Sequence, residues 1–514
     1  MDRDRRTTLL TLAAILALWE IVGRLDLVAS GALPAPGEIL IRLWIDRSDY
    51  TLHVWATVRA AFLGFVIGNA AAILAAILFV RWPLTERLAR GVNIAIFALP
   101  PIAIVPVLVI ALSGEGPRIV LAALAVYFPT MIAMVVGLRE IDPRTVDLVR
   151  AYGGGDSAVM RWIRLRSSLP ALLGGLRVAA PNAVLGAILA EFGSGARWGL
   201  GTYLLGSLGR AEPARLWGIG FVATAIAGLG YAVAALVASR VTGASRAVTI
   251  AAAAVPSSAP LSGSRVKRVM IALLAVAMPF LIWWLLLLVG GLSPIIAKTP
   301  FGVFDYLFLS PAAESAQTRL LAALAETLPM TVLGMAAGLA FAFLLAVFGA
   351  VKPALMRALL PIALVTQTMP LVALTPLLVL IFGRGVAVTL AITISVTFFP
   401  AYVTLAQGLA LVPKAAFDLA RAYGASGWRE LRLVALPASL PWLFASARLA
   451  VPRALLGVMI AEWLATGRGL GNLLNQSRGY LDYGMIWTVA LVSVLASVAL
   501  YQLAVLLERA SRPS

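Results

Sequence analysis

The stretch from Asp418 to Pro437 reads Asp-Leu-Ala-Arg-Ala-Tyr-Gly-Ala-Ser-Gly-Trp-Arg-Glu-Leu-Arg-Leu-Val-Ala-Leu-Pro, and it lies between long apolar runs. A related stretch runs from Asp147 to Arg166 and opens on Asp-Leu-Val-Arg-Ala-Tyr-Gly. Glycine can adopt the positive φ that ends a helix and turns the chain. Each stretch therefore predicts a short helix, a turn at Gly153 or Gly424, and a second helix.

Composition indicates that the rest of the chain lies in lipid. The 514 residues are 61% hydrophobic and 12% charged, whereas soluble domains carry roughly a quarter charged residues. The net charge of +18 lies mostly in loops, which favours an anionic membrane surface over nucleic acid as its partner. The chain has no cysteine, which excludes disulfides and cysteine-ligated metals. The one histidine, His53, is predicted to be an interfacial residue without a functional role.

Windows of about 20 apolar residues predict transmembrane helices. The N-terminal arginines and the apolar run after them resemble a signal peptide, but no small-residue cleavage site follows, so a retained first span is predicted. The predicted spans are 8–25, 56–80, 94–112, 117–137, 174–192, 216–238, 269–290, 327–351, 359–382, 386–408, 443–465 and 486–508.

The two halves of the chain repeat one pattern at a spacing of 270 or 271 residues. The matched pairs include Thr57 and Thr327, Gly64 and Gly334, Gly68 and Gly338, Pro100 and Pro370, Pro106 and Pro376, Asp147 and Asp418, and Glu191 and Glu462. Six spans per copy give both copies the same orientation, which is a parallel repeat. We therefore predict an all-α integral membrane protein with repeats at 1–242 and 265–514, joined by an Ala/Ser/Pro linker at 243–264.

Basic residues concentrate in loops that would share one side of the membrane, chiefly 138–173, 240–268 and 409–442. The positive-inside rule then places both termini in the cytoplasm.

The two polar stretches resemble the EAA loop of ABC importer permeases, in which Glu-Ala-Ala is followed after three residues by Gly and nine residues later by Ile-x-Leu-Pro. The second copy keeps this register with Val434, Leu436 and Pro437. The first copy departs from it, because Arg166 stands in the position of the proline. The segments Leu33-Pro-Ala-Pro36, Ala190-Glu191 and Gly199-Leu-Gly201 are also similar to permeases of the nitrate/sulfonate/taurine type.

This resemblance implies the type I importer permease fold, MetI-like, and a chain without enzymatic activity. It implies that loops 138–173 and 409–442 hold coupling helices for two cytoplasmic ATPase subunits, and that a periplasmic solute-binding protein delivers the solute. The chain has no Gly-x-x-x-x-Gly-Lys-Ser/Thr stretch, so we expect no cofactor in it and ATP on the partner subunits. The expected location is the bacterial inner membrane. The predicted coupling residues are Asp147, Arg150, Ala151, Tyr152, Gly153, Asp418, Arg421, Ala422, Tyr423, Gly424, Leu436 and Pro437.

Polar residues within the predicted spans are candidates for a transport path. Glu191 and Glu462 end the fifth span of each half, where they could cap an external segment at the interface or form a gate or receptor contact. Asn182 and Gln367 are further candidates, and Arg453 stands where the first half has Asn182. Gly64 and Gly68, with their counterparts, predict close helix packing. The paired prolines of the third spans predict irregular backbone there.

Two other functions are compatible with the sequence. A secondary transporter driven by an ion gradient would share the six-plus-six repeat, but it would need acidic or histidine relays within its spans, and these are scarce. A fused permease of the ferric-iron type would share both loops.

Overall fold

The computed structural model describes residues 2–28, 31–210, 212–242, 264–351 and 371–510. The apolar runs fold as helices because a helix satisfies its backbone polar groups internally, which lipid requires. The helices of the first half are α1 (Asp2–Arg24), α2 (Pro36–Ile45), α3 (Arg47–Arg81), α4 (Pro83–Ala98), α5 (Pro101–Ala111), α6 (Gly116–Arg139), α7 (Pro143–Ala151), α8 (Leu169–Ser194), α9 (Leu200–Leu208) and α10 (Pro213–Thr242).

The second half repeats this order of long and short helices. Its helices are α11 (Arg265–Gly290), α12 (Pro300–Phe308), α13 (Ala313–Val351), α14 (Leu371–Phe382), α15 (Val386–Ala410), α16 (Lys414–Ala422), α17 (Leu436–Ala461), α18 (Gly469–Gly479) and α19 (Tyr483–Ala510).

Nine helices within the described ranges are long and apolar enough to cross a membrane, and a bent pair would make a tenth. These ten correspond to ten of the twelve predicted windows. The first window falls on α1, and the ninth is described only from residue 371 onwards. The predicted linker 243–264 lies outside the described residues except for Ser264.

The bent pair confirms the irregular backbone predicted for the third span. Helix α4 ends at Ala98, α5 begins at Pro101, and the two axes differ by 104°. Pro100 precedes the second helix, and Pro106 lies within it. In the second half, Pro370 lies outside the described residues.

Contacts divide the chain into two compact groups. One group comprises 56–194 and 225–310; in it α6 packs along α8, and α11, the first helix of the second half, packs on α4. The other comprises 1–55, 195–224 and 311–514, and there α15 packs between α13 and α17. The packing of α11 on α4 is a contact between the two sequence repeats.

The predicted close helix packing at the paired glycines is confirmed. A Cβ on Gly64 would collide with the Cβ of Ala122 on α6. A Cβ on Gly334 would come within 2.7 Å of the Cβ of Thr393 on α15. Ala122 and Thr393 are equivalent positions, so both halves make the same contact between their second and fourth spans.

Candidate functional site

The first polar loop contains the short helix and glycine turn that its sequence predicts. Helix α7 begins after Asp142, whose side chain accepts a hydrogen bond of 2.9 Å from the Arg144 amide. The turn is at Gly153, where φ is +81°. The Gly153 N–H donates to the carbonyl of Arg150 at 2.9 Å, which satisfies a carbonyl at the end of the helix.

The second polar loop has the same geometry. Helix α16 ends at Ala422, and φ at Gly424 is +77°. The Gly424 N–H donates to the carbonyl of Arg421 at 2.8 Å. A Cβ on Gly153 or Gly424 would meet no atom within 4 Å, so these positions require glycine for its conformation and not for space.

The tips of both loops expose large side chains. Tyr152 and Tyr423 are each 86% exposed, and Leu148 and Leu419 on the preceding helices are exposed as well. The other predicted loop residues are also exposed, except for Leu436, which is half-buried. They are Asp147, Arg150, Ala151, Gly153, Asp418, Arg421, Ala422, Gly424 and Pro437. Exposed aromatic and leucine side chains at equivalent places outside the spans are typical of a protein-binding surface.

Ion pairs join the two helices of each loop, but they differ between the halves. In the second loop the Arg421 guanidinium donates two hydrogen bonds to Glu430, at 2.9 and 3.1 Å. The bonds to Glu430 raise the pKa of Arg421 above its ordinary value. In the first loop Arg150 contacts Asp156 at 3.5 Å. A guanidinium–carboxylate contact with two hydrogen bonds is geometrically specific. The ion pair of the second loop is therefore better formed than that of the first.

The chain leaves each loop as a helix that continues towards the fifth span. Both passages contain a π-helical turn, Val159–Arg164 in the first half and Leu431–Ala435 in the second. Arg166, which replaces the expected proline, lies with its guanidinium 5.0 Å from the centre of the Trp162 ring. The predicted second helices are thus present in both halves.

Glu191 in the first half is buried, with 1% of its surface exposed. The Thr57 hydroxyl of α3 contacts both carboxylate oxygens, at 2.8 and 3.0 Å. The Arg118 guanidinium, itself largely buried, lies 4.0 Å from the same carboxylate.

Glu462 in the second half is also buried, with 4% exposed. It accepts hydrogen bonds from the Thr327 hydroxyl at 2.7 Å and from the Gly471 N–H at 2.8 Å. The Leu470 N–H donates to the Thr327 hydroxyl oxygen at 2.8 Å. The cluster joins the second span, the fifth span and the start of α18.

Both carboxylates are enclosed by hydrogen-bonding groups from other helices, and Glu462 bonds directly to the Gly-Leu-Gly segment that it was expected to cap. Their roles as gate or receptor contacts stay predictions. Asn182 is half-buried within α8, and Gln367 lies outside the described residues.

His53 has a structural contact that the sequence interpretation missed. It is 8% exposed, and its Nδ1 lies 2.8 Å from the Gly199 carbonyl oxygen and 3.1 Å from the Gly199 amide nitrogen. Its ring stacks on Tyr203 with 4.5 Å between the ring centres. His53 therefore holds the Gly-Leu-Gly segment of the first half in place. The second half has Ala323 at the equivalent position, so the repeat gave no signal for this role.

The chain has repeated spans, a repeated buried carboxylate and two helical loops of the same type. These features define a class: membrane transport proteins built from two copies of one permease unit. The chain belongs to the family described as binding-protein-dependent transport system inner membrane component, whose model matches residues 68–244 and 338–513.

Similar proteins are ABC transporter permeases of different solutes. A probable ABC transporter permease protein of Haemophilus influenzae is 30% identical over 46% of this chain and 93% of its own length. The riboflavin transport system permease protein RibX of Chloroflexus aurantiacus is 34% identical over 30% of this chain and 57% of its own. The taurine transport system permease protein TauC of Escherichia coli is 27% identical over 35% of this chain and 68% of its own.

Proposed function

We propose that this chain is a fused permease pair of an ATP-driven importer in the bacterial inner membrane, with both termini in the cytoplasm. A solute-binding protein outside the membrane delivers a small solute, and two ATPase subunits drive its passage. The observation that carries this proposal is the duplication: one family model matches twice, and each match contains one exposed helix–glycine–helix loop.

Each loop has the features of a docking element for an ATPase. It is short and closed by hydrogen bonds at its glycine, so it is rigid enough to transmit a displacement. It presents an exposed tyrosine and leucine outside the spans, where lipid does not cover them. Its arginine is paired within the loop, which fixes the angle between the two helices.

The solute is proposed to be a small anion of the nitrate, sulfonate or taurine type, or a related small organic molecule. Support comes from relatives that include a putative aliphatic sulfonates permease of Bacillus subtilis, SsuC, and the taurine permease named above. The riboflavin permease among the relatives shows that the family is not limited to one chemical class.

The proposal is tested by purifying the tagged chain from its native membranes and identifying what accompanies it. We expect an ATPase subunit with a phosphate-binding glycine-rich loop, two copies per chain by native mass spectrometry, and ATP-dependent uptake by vesicles that contain the complex. A chain that carries solute with an ion gradient and without ATP would contradict the proposal.

A further inference from the structure

Arg453 lies near the middle of α17, in a segment where the neighbouring side chains are buried. Val451, Pro452, Ala454 and Leu455 are all enclosed, whereas Arg453 is exposed. No other residue of α17 between Trp442 and Ala461 is exposed. A lipid-facing side of a helix would expose residues every three or four positions, so this single exposed arginine indicates an opening within the protein.

Arg453 makes no ion pair with any carboxylate of the described residues. Another arginine on the same helix is paired: Arg448 lies 2.9 Å from the Glu508 carboxylate, and both side chains are largely buried. Charged side chains within membrane spans are costly and either pair with one another or mark a substrate path. Among the described residues, Arg448 has a carboxylate partner of this kind, whereas Arg453 has none.

The positive charge at this position is a property of the second half alone. The equivalent residue of the first half is Asn182, which also follows a proline inside its span. The fold of the repeat is therefore compatible with a neutral side chain here. A structural requirement for arginine would not be expected in one copy only.

We propose that Arg453 binds the anionic group of the transported solute, a small oxyanion of the sulfonate or carboxylate type. A guanidinium offers two parallel N–H donors that match the oxygens of such a group. This inference rests on the proposed function as a permease, and it narrows the solute to one that carries negative charge.

The first experiment measures whether position 453 is accessible to water. The chain has no cysteine, so Arg453→Cys provides a single thiol, and only its thiolate reacts with a water-soluble methanethiosulfonate. Leu495→Cys is the matched control, because Leu495 is an exposed apolar residue near the middle of α19. We expect the thiol at 453 to react in lipid nanodiscs and the thiol at 495 to remain unreacted. No reaction at either position would overturn the proposal, because Arg453 would then face lipid.

The second experiment measures anion binding without ATP or ATPase, so that its failure is distinct from failure of the importer assignment. Sodium methanesulfonate and sodium acetate are titrated into the purified chain at constant ionic strength, with neutral methanesulfonamide as control, and thermal stability reports binding. We expect at least one anion to bind, at least about tenfold more weakly in Arg453→Asn, with partial retention in Arg453→Lys. Absence of specific binding in the wild type, or equal affinity in Arg453→Asn, would overturn the proposal.

Discussion

The Thr327 hydroxyl donates a hydrogen bond of 2.7 Å to the Glu462 carboxylate, and Thr57 makes the equivalent bond of 2.8 Å to Glu191. The partners in each pair lie more than 130 residues apart in sequence. Each pair joins the second and fifth spans of its half. Because these groups are buried, removing one partner leaves a polar group that has lost a hydrogen bond and cannot replace it with water.

Glu462→Ala should lower the free energy of unfolding by about 2–4 kcal/mol, because the Thr327 hydroxyl and the Gly471 N–H would lose their acceptor. Glu462→Gln keeps one acceptor oxygen and should cost less. Thr331→Val is the control, because Thr331 is equally buried but bonds only to the backbone of its own helix. Thermal or denaturant unfolding in detergent measures the difference. Equal losses in Glu462→Ala and Thr331→Val would contradict the prediction.

Glu191→Gln should destabilise the chain more than Glu462→Gln does. Arg118 lies near Glu191 and is itself buried, whereas no cation of the described residues lies within ion-pair distance of Glu462. Breaking a fully buried ion pair costs about 3–5 kcal/mol. Arg118 also contacts Glu115 at 3.4 Å and so keeps one carboxylate partner. We therefore expect Glu191→Gln to lower the free energy of unfolding by only about 1–2 kcal/mol more than Glu462→Gln does. The same unfolding assay measures both variants, and an equal cost would show that Arg118 is not coupled to Glu191.

Gly424→Pro should lower ATP-driven uptake at least about tenfold while the chain still inserts into the membrane, if the loop transmits the coupling. Proline fixes φ near −65°, whereas the turn needs +77°. Gly427→Ala is the matched control in the same loop, because a Cβ there would meet no atom within 4 Å. Uptake assays and membrane fractionation separate coupling from insertion. Uptake by Gly424→Pro at the level of Gly427→Ala would argue against a coupling role.

Gly153→Pro should reduce uptake less than Gly424→Pro. The first loop has the longer ion pair between its helices, and Arg166 replaces the proline that follows the second loop. A less rigid loop transmits less of the displacement of the ATPase subunits. Disrupting the first loop should therefore lower uptake less than disrupting the second. Parallel uptake measurements on both variants, corrected for the amount in the membrane, check this. Equal losses would show that both loops are needed alike.

Gly64→Ala should destabilise the chain by about 1–3 kcal/mol, because the added methyl group would collide with Ala122 on α6 and force the helices apart. Gly228→Ala in α10 is the control, because a Cβ there would meet no atom within 4 Å. We expect the control to unfold at the wild-type temperature or slightly above it. A wild-type melting temperature for Gly64→Ala would contradict the close packing at this position.

The sequence predicted the features that local physical chemistry controls. Apolar length located the spans, and the bend between α4 and α5 followed from Pro100 and its neighbours. The loop turns at Gly153 and Gly424 followed from a glycine that ends a short polar helix. Each of these depends on residues that are close in the chain, so composition and spacing are sufficient to predict them.

The environment of single polar residues could not be predicted in the same way. The sequence shows that Glu191 and Glu462 end apolar segments, and it indicates no partner for His53. Their burial depends on partners such as Thr57, Thr327 and Gly199, which are far away in sequence. The repeat did show that Thr57 and Glu191 have counterparts, but a shared spacing does not show which residues come into contact.

The sequence by itself thus determined an all-helical membrane chain, its duplication and its two exposed loops, because lipid forces apolar segments into helices and glycine alone accommodates the loop turns. Tertiary structure decided which polar side chains of the spans are buried in hydrogen bonds between helices and which are exposed. Packing enclosed Glu462 and gave it two hydrogen-bond donors, and it left Arg453, nine residues earlier on the same helical segment, exposed. That difference arises from which neighbouring helices cover each face, and no local pattern encodes it.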